Sequence, residues 1–355
     1  MSRFFSDKYA ALEAYVPGEQ PQDMPYTKLN TNESPYPPSP GVLQAAAAEA
    51  GRLQLYSDPT CRVLTEAVAA HYGVGADQVL MTNGSDEILN FAFMAFGDAD
   101  HPFAFPDITY GFYPVFAKLN GIPYREIPLK EDFSIDPDDY CGIGCHVVIA
   151  NPNAPTGLSL SVADIRRIAQ SNPDHIVIID EAYVDFGGES CLPLLSLCEN
   201  LLITRTFSKS YSLAGARLGF GIGSPALIQD LNTIKYSTNP YNINRMTMAA
   251  GTAAMEESAY YEQHCREIVA TREYTRKKLT ELGFSMPRSD ANFLFARHDR
   301  LDGGTLYRKL KARGVLVRHF DKPRISAYNR ITIGTQAQMD ILLDAVKDIL
   351  KEETV

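Results

Sequence analysis

Three short runs, Val147–Ala150, Ile176–Ile179 and Leu201–Thr204, are apolar without the polar alternation of a half-exposed strand. A strand of that kind is buried on both faces, as in a parallel sheet covered by helices. Four more segments read as strands: Val79–Thr82, Phe103–Phe105, Tyr124–Ile127 and Arg217–Gly221. Helix-length stretches lie between several of them, and Ser161–Gln170 opens on Ser-Val-Ala-Asp like a capped helix. The expected architecture is therefore α/β, with a large domain over residues 35–236 whose mostly parallel sheet is flanked by helices. After Ser237–Pro240 the texture changes. A helical pattern from about Glu256 to Leu282 is followed by Asn292–Phe295, a helix near Thr305–Arg313, Gly314–Arg318, Arg330–Gly334 and a last helix from Gln336. That order predicts a smaller α+β domain over 237–355, to which residues 1–34 cross as an arm.

Composition narrows the function. The chain has 355 residues, and 33 basic against 43 acidic side chains give a formal charge of −10. An acidic balance offers no electrostatic footprint for nucleic acid or an anionic membrane. No apolar run approaches the ~20 residues of a transmembrane helix, and the opening MSRFFSDKYA lacks the apolar core of a secretory signal. A cytoplasmic enzyme is the expectation. The six cysteines are too sparse for a disulfide scaffold, and Cys141, Cys145 and His146 do not have zinc-knuckle spacing, so no metal is expected.

Four segments at strand ends carry the chemistry. Asp180 closes the strand of HIVIIDEAY and Tyr183 follows it, which places a carboxylate in the crevice where parallel sheets bind ligands. A plain helix cap is the bland alternative for such an aspartate. The magnesium carboxylate of a phosphate-loop NTPase requires GxxxxGK[ST], which the chain lacks. Lys209 lies beyond the third run among Thr206 and Ser208, with Arg217 eight residues on; hydroxyls and an arginine suit a phosphate, and desolvation beside a cation lowers a lysine's pKa. Taken singly, a Ser-Lys pair more often marks a solvated turn. Gly84, Ser85 and Asp86 of NGSDE stand at a helix start, where free backbone N–H groups attract anions. NPNAPTG (151–157) is a turn-rich loop that holds a side-chain amide over the crevice or is simply stiff. An anion cradle, an amine, a carboxylate and a phenol together fit pyridoxal 5′-phosphate.

The chain resembles the fold-type I pyridoxal-phosphate aminotransferases, and among them the histidinol-phosphate aminotransferases. The likeness runs through YVPGEQP, LNTNESPYPPSP, LYSDP, NGSDE, ITYGFYP, NPNAPTG, DEAYVDF, TFSKSYSLAGARLGF, NFLF, GVLVR and RITIGT, in that order. The resemblance implies that Lys209 takes the cofactor aldehyde as a Schiff base, Asp180 partners the pyridinium nitrogen, Tyr183 bonds the ring hydroxyl and Tyr110 stacks on the ring. It assigns the phosphate to the backbone of Gly84, Ser85 and Asp86 and to Thr206, Ser208 and Arg217. Tyr56 resembles a tyrosine that reaches the partner subunit's phosphate, which implies a homodimer with shared sites. Tyr15, Arg318 and Arg330 resemble substrate-binding residues for histidinol phosphate, glutamate and 2-oxoglutarate. The family pattern more often reads NPNNPTG; here Ala154 stands before Pro-Thr-Gly. Two arrangements stay open: Asn153 bonds the ring hydroxyl from a shifted loop, or Tyr183 serves alone. Rival activities on the same scaffold are transamination of aromatic or other amino acids and decarboxylation of threonine phosphate.

Overall fold

A computed structural model describes residues 2–10 and 12–353. Its strands are β1 (Thr27–Leu29), β2 (Val79–Thr82), β3 (Phe103–Pro106), β4 (Tyr124–Ile127), β5 (His146–Ala150), β6 (Val177–Asp180), β7 (Leu201–Thr206), β8 (Gly219–Ile222), β9 (Phe284–Ser285), β10 (Phe293–His298), β11 (Val315–His319) and β12 (Tyr328–Thr332). The helices are α1 (Pro40–Ala50), α2 (Arg62–Tyr72), α3 (Ser85–Phe96), α4 (Tyr113–Asn120), α5 (Val162–Ser171), α6 (Pro225–Thr238), α7 (Arg245–Glu256), α8 (Ser258–Glu281), α9 (Gly303–Ala312) and α10 (Gln336–Glu352).

A seven-stranded sheet runs in the order β2-β8-β7-β6-β5-β3-β4. Neighbours from β7 to β4 are parallel, whereas β8 is antiparallel to both β7 and β2. The uniformly apolar runs have the cause the sequence implied. Val148, Ile178 and Leu202 pack on one face in a cluster with residues of α3, α4 and α6. Val147, Ile149, Val177, Ile179, Leu201 and Ile203 pack on the other face with Ile165 and Ile168 of α5. The α5 terminus is capped as expected, Ser161 Oγ accepting from the Asp164 N–H. A second sheet, ordered β1-β11-β12-β10-β9, is antiparallel except that β1 runs parallel to β11. The N-terminal arm thus supplies an edge strand to the C-terminal sheet.

Two elements depart from the sequence reading. The strand expected from Arg217 begins only at Gly219, because Arg217 itself adopts a left-handed conformation with φ 55°. Helix α7 carries no marked apolar stripe. It is built from small residues and packs with α1 and α2, so the cluster around Val42, Leu64 and Val68 reaches through Ala250 and Ala254 to Tyr261. That packing passes beyond Tyr236, where the sequence placed a boundary. His146 opens β5: its Nε2 bonds the Phe96 carbonyl and its Nδ1 accepts from the Ile176 N–H. Burial pushes its pKa down to about 4. Among the described residues no group of three or more His, Cys, Asp or Glu is placed to hold a metal. No helix among them is long and apolar enough to cross a membrane.

The sheet edge that carries the site depends on one glycine. A Cβ at Gly219 would stand 2.4 Å from the Ser85 amide nitrogen and 2.5 Å from the Gly84 carbonyl carbon. Main chain cannot rotate aside as a long side chain can. Gly219→Ala is expected to cost about 1–3 kcal/mol through forced separation of β8 from the start of α3. Denaturant unfolding measures this, and an unchanged midpoint would show that the α3 terminus is free to move.

Candidate active site

The parallel strands β5, β6 and β7 end on one edge of the sheet, and the antiparallel pairing of Thr82 and Thr206 with Gly219 brings the loops after β2 and β7 to the same edge. A cavity of about 330 Å³ lies there, lined by Ser85, Asp180, Tyr183, Ser208, Lys209 and Arg217 among others. It adjoins a cleft of about 750 Å³ whose walls include Tyr15, Tyr110, Tyr183, Lys209, Arg318 and Arg330. Segments far apart in the chain therefore meet as the resemblance implied.

Asp180 is the last residue of β6 and 4% exposed. Its Oδ2 accepts from the Tyr113 hydroxyl at 3.0 Å and its Oδ1 from Thr204 Oγ1 at 3.3 Å. Both donors are neutral, and no cation pairs with it among the described residues. Burial lifts its carboxyl to about 6; the Tyr113 hydrogen bond opposes the rise and the charge of Asp86 adds to it. A buried carboxylate without a cation is costly, so the cavity floor is built to receive a positive group.

The opposite end of the cavity has the reverse character. Helix α3 begins after Gly84, whose φ is +79°, and no side chain caps that terminus. Arg217 Nη1 donates to Ser208 Oγ at 3.4 Å, and Arg217 Nη2 to Asp86 Oδ2 at 3.2 Å. Thr206 Oγ1 accepts from the Ser208 N–H at 3.1 Å, bracing the loop. A Cβ on Gly84 would come within 2.6 Å of Arg217 Nη2, so glycine lets the guanidinium close over the helix start. Uncapped first-turn amides, a hydroxyl and a guanidinium suit a phosphate.

Lys209 projects between these ends. Its Nζ donates to the Thr31 carbonyl at 3.0 Å and lies 5.8 Å from the Tyr183 ring centre. Burial lowers its pKa to about 8, with Arg330 reinforcing and Glu33 opposing the shift. A substantial fraction of the amine is thus neutral near physiological pH, as a nucleophile requires. Tyr183 accepts from Asn32 Nδ2 at 2.9 Å. Tyr110 donates to Asp86 Oδ1 at 2.6 Å and borders both cavities.

Arg318 and Arg330 are direct cross-strand partners on β11 and β12. Arg330 Nη2 donates to the Asn30 carbonyl at 3.0 Å, yet its buried Nε has no partner. Arg318 donates to the carbonyls of Pro17 and Val16 at 3.3 and 3.4 Å, and Tyr15 stacks on Phe112 with centroids 4.1 Å apart. The arm thereby lines the cleft wall. Like charges opposed across a sheet destabilise it, and an anion between the two forks removes that strain.

Two expected residues lie elsewhere. Asn153 Nδ2 donates to the Ile108 carbonyl at 2.9 Å and to Thr156 Oγ1 at 3.1 Å, while its Oδ1 accepts from Thr109 at 2.8 Å. The amide is engaged between its own loop and the loop after β3, and the cavity wall at that point is Ala154. Tyr56 is 81% exposed, stacks on Tyr241 at 4.7 Å and borders neither cavity of its own chain. Conversely, the sequence reading assigned no role to Tyr113, Thr204, Thr31 or Asn32. Tyr113 stands in the recognised ITYGFYP string and Asn32 in LNTNESP, but nothing in either string names its partner.

These residues fit pyridoxal 5′-phosphate on the structure's own terms: a carboxylate that lacks a cation, an uncapped helix start with a guanidinium, and a lysine of lowered pKa between them. The comparisons agree. The family model for aminotransferase class I and II matches residues 25–346. The chain is 48% identical to histidinol-phosphate aminotransferase 2 of Dechloromonas aromatica over 98% of this chain and 99% of that one. It is 50% identical to the histidinol-phosphate aminotransferase of Marinomonas sp. over 98% and 100% of the two chains. The crystal structure of histidinol-phosphate aminotransferase from Sinorhizobium meliloti in complex with pyridoxal-5′-phosphate shares the fold, with a TM-score of 0.84 at 24% identity over 92% of this chain and 91% of that one.

Cofactor-free protein is expected to lose the share of its stability tied to Asp180 as pH rises. A carboxyl held at about 6 in the fold keeps a proton that the unfolded chain releases near 4, so its contribution is complete below about pH 4 and is lost through about pH 6. The unfolding free energy of the parent should fall relative to Asp180→Asn by about 3 kcal/mol across that window. A flat difference would contradict an unpaired buried carboxyl.

Proposed function

The chain belongs to the class I and II aminotransferases, and we propose that it exchanges the amino group between L-histidinol phosphate and 2-oxoglutarate, giving imidazole-acetol phosphate and L-glutamate, in histidine biosynthesis. The observation that carries this reading is the pair of opposed guanidinium groups on β11 and β12 at the wall of the Lys209 cleft. A planar fork bonds a carboxylate or a phosphate monoester equally well, and one pocket must take both anions in turn. The names of relatives at 48% and 50% identity support the choice of substrate.

Pyridoxal 5′-phosphate, when bound, supplies an aldehyde for the amino group and a protonated ring that draws off the electron pair left on Cα. The chain's residues do the rest. Lys209 holds the aldehyde and, once released, its amine carries the Cα proton as base and then acid. Asp180 keeps the ring nitrogen protonated and gains the cation its buried site lacks. Tyr183 bonds the ring oxygen, and the engagement of Asn153 between the two loops favours Tyr183 serving alone. Tyr110 flanks the ring. The first-turn amides of Ser85 and Asp86, with Thr206, Ser208 and Arg217, hold the phosphate, whereas the Gly84 N–H is already given to the Thr82 carbonyl at 3.0 Å. Arg330 takes the α-carboxylate of glutamate, Arg318 shares the phosphate of histidinol phosphate, and Tyr15 closes the cleft from the arm.

The same reading divides the chain into a large domain that begins near residue 35 and runs past Tyr236 to include α7, and a smaller one formed by 1–34 and the C-terminal sheet with its helices. It makes the protein a cytoplasmic homodimer, in which the exposed Tyr56 reaches the partner's phosphate site. An equimolar mixture of two inactive variants, Lys209→Ala and Tyr56→Ala, tests the shared site by regaining activity on subunit exchange.

A coupled assay measures the activity directly. Glutamate should form from L-histidinol phosphate and 2-oxoglutarate faster than from aromatic donors; carbon dioxide release from threonine phosphate would instead mark a decarboxylase. Borohydride should fix the cofactor onto Lys209, and label on any other lysine would remove it from the role. Arg330→Lys should slow the glutamate half-reaction by about 1–3 kcal/mol of lost charge-assisted bonding, and Arg318→Lys should weaken histidinol phosphate more than glutamate. Equal losses for both donors would assign the arginines to the fold rather than the substrates.

A further inference from the structure

Asn32 is 1% exposed and holds a left-handed backbone with φ 57°, a conformation that asparagine tolerates better than most residues. All of its polar groups are engaged. Its N–H donates to Thr332 Oγ1 at 2.9 Å, its carbonyl accepts from Asn292 Nδ2 at 3.0 Å, and its Oδ1 accepts from the Thr332 hydroxyl at 3.0 Å. The remaining group, Nδ2, donates to the Tyr183 hydroxyl at 2.9 Å. The side chain is held in one sense: Oδ1 takes the hydrogen of the Thr332 hydroxyl, and the NH₂ faces the phenol.

That sense decides what the phenol can do. A tyrosine hydroxyl has one hydrogen to give. Because its oxygen accepts from Asn32, that hydrogen is not consumed by Asn32 and remains for a group in the cavities that Tyr183 borders. Neighbouring Ala154 brings no polar side chain to the same wall. The phenol is consequently a hydroxyl donor facing both cavities, and its rotor is set from the second sheet, since Thr332 ends β12 and Asn292 precedes β10. The preceding residue, Thr31, receives the Lys209 amine on its carbonyl. One short stretch of the N-terminal arm therefore fixes both the amine and the phenol.

We infer that Asn32, oriented by Thr332, is a positioning residue that makes Tyr183 a hydrogen donor to the cofactor's ring oxygen. The inference rests on the cofactor reading above. Donation to the ring oxygen stabilises its anionic form and so lowers the pH at which the lysine-bound cofactor changes colour. Asn32→Gly removes the amide while keeping a backbone that accepts positive φ. Asn32→Asp keeps the shape but turns a donor into an acceptor that draws the phenol's hydrogen to itself. Thr332→Val leaves Asn32 in place and frees its amide to turn.

Spectral pH titration of each holoprotein reads the effect without turnover. The colour-change midpoint should rise by about one pH unit in Asn32→Asp and by somewhat less in Asn32→Gly and Thr332→Val. In a Tyr183→Phe background Asn32→Gly and Thr332→Val should leave the midpoint unshifted, and Asn32→Asp should keep only the smaller rise that its added negative charge causes by itself. Asn32 variants that titrate like the parent, or that shift equally without the phenol, would overturn the inference while leaving the cofactor reading intact. A parent protein that develops no visible band with pyridoxal phosphate would overturn the cofactor reading and this inference with it.

Discussion

A carboxylate buried at the end of β6 with two hydroxyls for company sets the terms for the rest of the site. Among the described residues Asp180 is reached by the hydroxyls of Tyr113 and Thr204 but by no cation. The fold contrasts this with Glu181, the next residue, which is equally buried but pairs with Arg205 at 2.8 Å and is bonded by the Cys191 amide. Adjacent acids thus have opposite fates. One is neutralised within the protein and braces β6 against β7; the other is left to be neutralised by whatever enters the cavity. The same logic runs in reverse at the helix start, where first-turn amides are uncapped, and at the opposed arginines, where two guanidinium groups face each other.

This distribution of unmatched charge explains why a rigid sheet and a thin arm are both required. Asp180 ends a strand of a sheet buried on both faces, and Lys209 stands in the turn just beyond the neighbouring strand β7, so close packing of the sheet sets the base from which both project. Arg330 and Tyr183 are tied instead through the arm, by the Asn30 carbonyl and the Asn32 amide. The arm is held at its own edge by the parallel pairing of Thr27–Leu29 with Val315–Val317. Arg330, Lys209 and Tyr183 are therefore joined through three consecutive residues, 30–32.

The parts of this arrangement legible in the sequence are those fixed by local pattern. Unbroken apolar runs announced the buried strands; a carboxylate directly after one of them announced Asp180 at the sheet edge, and Lys209 stood out by its place beyond another among hydroxyls, with an arginine eight residues on. Partners set by register across strands, or by contacts such as Asn32 with Tyr183, 151 positions apart, leave no local mark. The engagement of Asn153 left no local mark for a related reason: its amide donates to the Ile108 carbonyl and the Thr156 hydroxyl, a competition that only the packed loops reveal. Helix α7 was silent because Ala, Gly and Thr pack closely on α1 without forming an apolar stripe.

The pairing of β1 with β11 bears on how the molecule is made. Residue 27 lies against residue 315, and the arm's contacts with Arg330 and Thr332 join positions 300 apart. Contacts so distant in sequence carry a large loop-closure entropy and form late. During synthesis the seven-stranded sheet can assemble once β8 has emerged, leaving Lys209 in place but Thr31 and Asn32 without their anchors. A nascent or truncated chain would thus present a folded sheet with an unfinished pocket, and competence would arrive only with the last strands of the second sheet.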